Sequence, residues 1–171
     1  MDHDHRSRRV IKLCLDSIRN ITFYKSGFKD GRILYNDQFW ITANGNFLDI
    51  AVLEWCKMFG DWNSKHHWRL VINSDDSFLM GLLAELDLTE AEYNTQKARV
   101  RHYRDKFIAH LDDENTMHIP DVSMMEKSVY YLFDCLRTQE VHNPLLVDCS
   151  PDPSLFRDGY MKDMTKYLQL D

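Results

Sequence analysis

Long stretches without helix breakers limit what this chain can fold into. Only six glycines and four prolines punctuate 171 residues, and three of the prolines crowd into residues 143–153. A many-stranded sheet needs frequent tight turns, so this spacing favours helices. Val10, Ile11, Cys14, Leu15, Ile18 and Ile21 recur at helical spacing over residues 8–23. Gly27 and Gly31 then interrupt, and residues 24–37 are expected to form a loop or irregular connection. A second helix starts near 37–39 and carries Phe39, Trp40, Phe47, Ile50, Leu53, Trp55 and Met58 toward Gly60, a natural stop. Its apolar residues cover more than one face, as in a helix with neighbours on several sides. Asn44-Gly45-Asn46 marks a point where it could split.

Residues 61–65 look like a turn, and the apolar run 67–72 is too short to assign by period. Ser74, Asp75 or Asp76 can cap a short helix bearing Phe78, Leu82 and Leu86. Thr89 precedes Glu92 by three positions, a capping-box pattern that opens a long helix through about Ile108. Residues 112–119 are polar and turn-like. Pro120 and Asp121 announce the next helix, where Ser123 and Glu126 repeat the capping-box spacing and Val129, Leu132, Phe133 and Leu136 form the apolar stripe. An extended connector over 143–153 leads to a last amphipathic helix over 154–168. The expectation is an all-α, up-and-down bundle of five or six helices. Residues 1–142 would form one helical domain, with the connector and helix of 143–171 packed on it.

No stretch approaches the ~20 apolar residues of a membrane span. Cys14, Cys56, Cys135 and Cys149 lack metal or redox spacing, and three of them read as small core residues. The start Met1-Asp2-His3-Asp4-His5 has no apolar signal-like run, so a reduced, cytoplasmic setting is expected. No cofactor motif is present: there is neither a glycine-rich phosphate loop nor a G-x-S-x-G elbow. The adjacent pair His66-His67 lacks a helical ligand partner and is expected at a surface or half-buried, and Trp40, Trp55, Trp62 and Trp68 are expected in packing roles. A net charge of −6 argues against broad coating of nucleic acid, while permitting a local basic patch.

Such a patch is visible. Lys97, Arg99, Arg101, Arg104 and Lys106 fall within ten residues, opposed there only by Asp105. At about 100° per residue, Lys97, Arg101 and Arg104 lie within ~60° of one another, whereas Val100, Tyr103, Phe107 and Leu111 fall on another face that can seat the helix. The string Arg104-Asp105-Lys106-Phe107-Ile108-Ala109-His110, followed by Leu111-Asp112, resembles the R-x(4–6)-H signature of the HEPN superfamily, in particular its abortive-infection-like branch. The resemblance implies a helical, metal-independent endoribonuclease that works as a homodimer, its two motifs meeting across a cleft. It also implies a toxin or phage-defence role, with an antitoxin or regulatory protein as a further partner. Arg104 would stabilise charge on a phosphate, His110 would act as general acid/base, and Asp105 would orient one of them. Lys97, Arg101 and Lys106 would contact RNA. Relatives that keep the fold without cleavage serve as interaction or nucleotide-binding modules, the competing expectation.

The chemistry is sound for these residue types. Arginine offers a planar fork to phosphate oxygens, and histidine exchanges protons near neutrality. Geometry adds a condition, since six positions apart on a straight α-helix these two residues point ~120° apart. The helix must end or bend near Ala109, or a second chain must contribute. The tyrosine that often follows the histidine by two in HEPN toxins is replaced by Asp112, so modification at that position is not expected.

Overall fold

The computed structural model describes residues 3–109, 117–139 and 154–167. Cys149, the 143–153 connector, His110, Leu111, Asp112 and Leu168 lie outside the described residues. The described chain is an all-α bundle of six α-helices with one two-stranded ribbon.

Helix α1 (His3–Ser26) buries Val10, Ile11, Cys14, Ile18 and Ile21, as their spacing predicts. It extends beyond both expected ends because small polar residues share its buried face. Ser7 is fully buried, and Thr22 returns its hydroxyl to the Ile18 carbonyl at 2.8 Å. The connection after it is more regular than expected. Strands β1 (Phe28–Lys29) and β2 (Arg32–Ile33) pair antiparallel around Asp30 and Gly31, at φ 52° and 74°. Two successive positive φ values make the tight turn whose twist suits a hairpin.

Helix α2 (Gln38–Trp55) starts where Asp37 accepts the Phe39 N–H at 2.8 Å. It runs unbroken through Gly45 and passes into a π-helical segment, Cys56–Gly60. A 3₁₀ turn (Trp68–Leu70) and α3 (Asp75–Leu86) follow. Helix α4 (Glu90–Tyr103) opens with the expected Thr89–Glu92 capping box and passes into a second π-helical segment, Arg104–Ala109.

Helix α5 (Val122–Gln139) is capped differently from the Ser123–Glu126 expectation. The Asp121 carboxylate accepts the N–H groups of Ser123 and Met124, at 2.9 and 3.1 Å. Glu126 turns inward instead and pairs with Lys25 at 2.6 Å. Helix α6 (Ser154–Tyr167) lies on α1, with Tyr160 edge-on to Phe23 at 5.9 Å and Phe156 against Phe133 at 5.8 Å. Thus α1 is the common neighbour of α2, α5 and α6, while α3 packs on α5. No helix among the described residues is long and apolar enough to cross a membrane.

Two glycines inside helices have opposite surroundings. A Cβ at Gly81 of α3 would lie 1.8 Å from Tyr131 Oη, so this glycine permits the close approach of α5. A Cβ at Gly45 would meet nothing within 4 Å. Gly45→Ala should therefore raise unfolding stability by about 0.5–1 kcal/mol, by helix propensity alone. Gly81→Ala should lower it by about 1 kcal/mol despite the same propensity gain, because Tyr131 must be displaced. Urea denaturation of both variants compares them directly.

Glu54 is the exceptional acid of the interior. Burial, with the Asp16 charge adding to it, pushes its carboxyl up to about 7, although Asn20 Nδ2 donates to it at 3.3 Å. An acid whose pKa is raised on folding binds more protons folded than unfolded. Its favourable contribution is therefore complete below the unfolded value and is lost as pH rises through the folded one. Stability should fall between about pH 5 and 8 in the wild type. Glu54→Gln keeps an acceptor for Asn20 and should flatten that decline, gaining about 1–2 kcal/mol at pH 8 and little at pH 5 after solvent screening is allowed for.

Candidate functional site

The capping box fixes the start of α4, and its apolar stripe fixes its rotation. Val100 and Tyr103 are buried, and Tyr103 Oη donates to Asp49 of α2 at 2.9 Å. Lys97 and Arg101 flank this stripe, Lys97 half-buried and Arg101 exposed. At Arg104 the α-helical register gives way to i→i+5 bonding, a wider turn that is often found at functional sites. The sequence condition concerns Arg104 and His110 together, and His110 lies outside the described residues.

Each π-helical segment packs against the helix that leads into the other. Helix α4 packs against Cys56–Gly60, and Arg104–Ala109 packs against α2. A Cβ at Gly60 would lie 3.2 Å from Cys56 Sγ and 3.3 Å from Arg101 Cγ, so glycine allows Arg101 to cross there. Just beyond Gly60, Asp61 reaches Arg104. The guanidinium donates through Nη1 to Asp61 and through Nε to Asp105 Oδ1 at 2.8 Å, and Nη2 is also 2.8 Å from that oxygen. Burial opposes the Arg104 charge, but the hydrogen bonds to Asp61 and Asp105 outweigh it and hold the group above its ordinary value. Burial pushes the neighbouring Cys56 thiol up to about 12, even with Arg104 close by, so it is a neutral core thiol.

The site residues named from sequence therefore separate into groups. Arg104 and Asp105 are held together, with Asp105 orienting the arginine. Lys97 and Arg101 instead line an adjoining cleft with Arg69, Tyr93, Trp62 and His67. Lys106 is half-buried and engaged in an interaction of its own. His110 lies outside the described residues. Asp61 was legible only as a turn residue: it stands 43 positions from Arg104, and no periodicity joins them.

His67 corrects the expectation of a surface or half-buried pair, since it is only 5% exposed. Burial, with Arg69 and Lys97 nearby, lowers its pKa to about 4, and its Nδ1 accepts the Arg69 N–H at 3.4 Å. It is a neutral structural acceptor. Trp55 and Trp68 are buried, whereas Trp62 is exposed and carries the Arg69 guanidinium 3.8 Å from its ring centroid. Among the described residues no cluster of His, Cys, Asp and Glu has the grouping of a metal site.

No family model, curated protein or solved structure matches the chain. The HEPN resemblance accordingly rests on the motif residues themselves.

The Arg104–Asp61 pair joins the ends of α2 and α4, with the arginine side chain 16% exposed and the aspartate 37% exposed. A double-mutant cycle with Arg104→Gln and Asp61→Asn should give a coupling of about 1 kcal/mol that shrinks in high salt. Chemical denaturation of the four proteins measures it, and zero coupling would show a merely solvated contact.

Proposed function

We propose that the chain is a HEPN-type, metal-independent endoribonuclease, acting in the cytoplasm as a toxin or phage-defence effector under the control of an antitoxin or regulatory protein. The observation that carries this reading is the clamping of Arg104 by Asp61 and Asp105 where α4 becomes π-helical. An arginine has five N–H donors, and these contacts leave at least one on each terminal nitrogen for a phosphate oxygen. A guanidinium whose orientation is already fixed loses little freedom when it meets a developing charge.

In the proposed reaction a ribose 2′-hydroxyl attacks the adjacent phosphorus. His110 takes the proton from that hydroxyl, and Arg104 stabilises the added negative charge on the non-bridging oxygens. The bond to the 5′-oxygen of the next nucleotide breaks, and that oxygen takes up a proton. The products are a 2′,3′-cyclic phosphate and a 5′-hydroxyl end. A homodimer would bring two Arg104–His110 sets to one cleft.

Two carboxylates around one guanidinium also leave the local charge negative, which weakens the pull on a polyanion. That observation favours the second reading, a catalytically silent HEPN-like module that holds a nucleotide or a partner.

Incubation with labelled structured and unstructured RNAs in EDTA separates the two. The wild type should cleave, leaving cyclic-phosphate ends. Arg104→Ala and His110→Ala, checked for folding and dimerisation by sedimentation, should each lose at least about 100-fold in rate. Absence of cleavage by the wild type on all substrates would transfer support to the silent module.

A further inference from the structure

We infer that the cleft lined by Trp62, Arg69, Tyr93, Lys97 and Arg101 binds a phosphate monoester. This inference stands apart from the proposed cleavage chemistry, because Arg104 is committed to Asp61 and Asp105 outside this cleft.

The cleft measures about 210 Å³ and gathers three cationic side chains from two parts of the chain, Arg69 in the 3₁₀ turn and Lys97 and Arg101 on α4. Among the described residues neither Lys97 nor Arg101 forms an ion pair. Arg69 is positioned by aromatic rings, its guanidinium carbon 3.8 Å from the Trp62 centroid and 5.1 Å from that of Trp68. Its nearest carboxylate, Asp75, is 3.6 Å from Nε, beyond hydrogen-bond range, and Nε is buried without a hydrogen-bond partner. The Lys97 ammonium lies 5.5 Å from the Tyr93 ring centroid. Burial and the charges of Arg69 and Arg101 all disfavour its proton. Glu90 is the one carboxylate among the lining residues, and with Asp75 beside Arg69 it offsets the mutual repulsion of the three cations only in part.

A second observation points to a ligand. Tyr93, also in the lining, is 3% exposed, yet its hydroxyl has no hydrogen-bond partner. A buried hydroxyl is normally satisfied, and this one is within the electrostatic reach of Arg69. The cleft thus holds unpaired donors of two kinds, cationic N–H on Arg69 and neutral O–H on Tyr93.

Charge and size select the ligand class. A phosphate monoester brings about −1.5 to −2 charges and three acceptor oxygens, which suits several converging donors. The interior of a nucleic-acid strand brings one charge per phosphate and chain on both sides. The cleft falls below the roughly 300 Å³ at which pockets begin to enclose larger ligands, so a terminal phosphate fits and a strand interior does not. The monoester can belong to a free nucleotide or to the 5′ end of an RNA.

Calorimetric titration of the full chain, with tryptophan fluorescence in parallel, tests this. The probes are inorganic phosphate, uridine 5′-monophosphate and uridine, and a short RNA with either a 5′-phosphate or a 5′-hydroxyl is added to His110→Ala protein. Phosphate and the monophosphate should bind, with uridine at least about tenfold weaker. Lys97→Gln and Arg101→Gln should each weaken phosphate about tenfold with an unchanged circular dichroism spectrum. Tyr93→Phe should weaken it roughly fivefold while raising the melting temperature of the ligand-free protein, which a purely structural hydroxyl would not do.

Tighter binding of the 5′-phosphorylated RNA than of the monophosphate assigns the site to strand ends, and the reverse order assigns it to free nucleotides. Failure of wild-type protein to bind either phosphate or the monophosphate at millimolar concentration would overturn the inference. Undiminished binding by the folded Lys97→Gln/Arg101→Gln double variant would overturn it too. Loss of RNA cleavage with phosphate binding intact would count against the proposed function alone.

Discussion

Trp55 is the residue on which the arrangement turns. It is completely buried at the end of α2, stacked on Phe59 at 5.2 Å, and its indole N–H donates to Ser128 of α5 at 2.7 Å. Ser128 passes a hydrogen bond on to the Met125 carbonyl at 2.8 Å, so the buried polar atoms form a closed chain. Burying an aromatic side chain of this size contributes roughly 3 kcal/mol, and the directional bond fixes the axial position of α2 against α5. From this anchor the chain must still place Met58 and Phe59 in the core. It does so through the π-helical turn, whose last bond joins the Asp61 N–H to the Cys56 carbonyl at 2.8 Å. The position of Asp61, and through it the orientation of Arg104, follows from how Trp55 is packed.

The elements were legible in the sequence wherever a local rule decided them. The α4 start is written in Thr89 and Glu92, and the buried face of α1 in the spacing of Val10, Cys14, Ile18 and Ile21. Local rules failed where two of them competed. Ser123 and Glu126 have capping-box spacing, but Asp121 is a stronger acceptor two positions earlier and Glu126 is drawn to Lys25, 101 residues away. The hairpin at Asp30-Gly31 is another case, since turn chemistry decided it while strands of two residues are too short for alternation to be read.

The candidate site was legible only along one helix. Counting 100° per residue puts Lys97, Arg101 and Arg104 on one stripe, and that count holds only while the helix stays α. The π turn begins at Arg104, the point at which the stripe divides. Arg104 goes to Asp61, while Lys97 and Arg101 meet Arg69. Both partners come from the segment between α2 and α3, whose short apolar run and polar turns gave no period to read. Sequence order showed which side chains carry the charge, and tertiary packing decided which of them line one cleft.

Net charge offers a last lesson in scale. A chain at −6 reads as a poor binder of phosphate, yet charges on a folded surface act over a screening length of about 8 Å at physiological ionic strength. Carboxylates on the far side of the bundle therefore do little at the cleft of Arg69, Lys97 and Arg101. What matters there is Glu90 and the distant partner of Arg69, Asp75. By the same reasoning Arg104, flanked by two carboxylates within hydrogen-bond reach, attracts an anion less at long range than the stripe of positive residues suggests. In the proposed reaction Arg104 would act at contact, through oriented N–H groups, whereas the proposed phosphate cleft would draw an anion in by charge. The two proposed sites would thus differ in kind, one positioning and the other capturing.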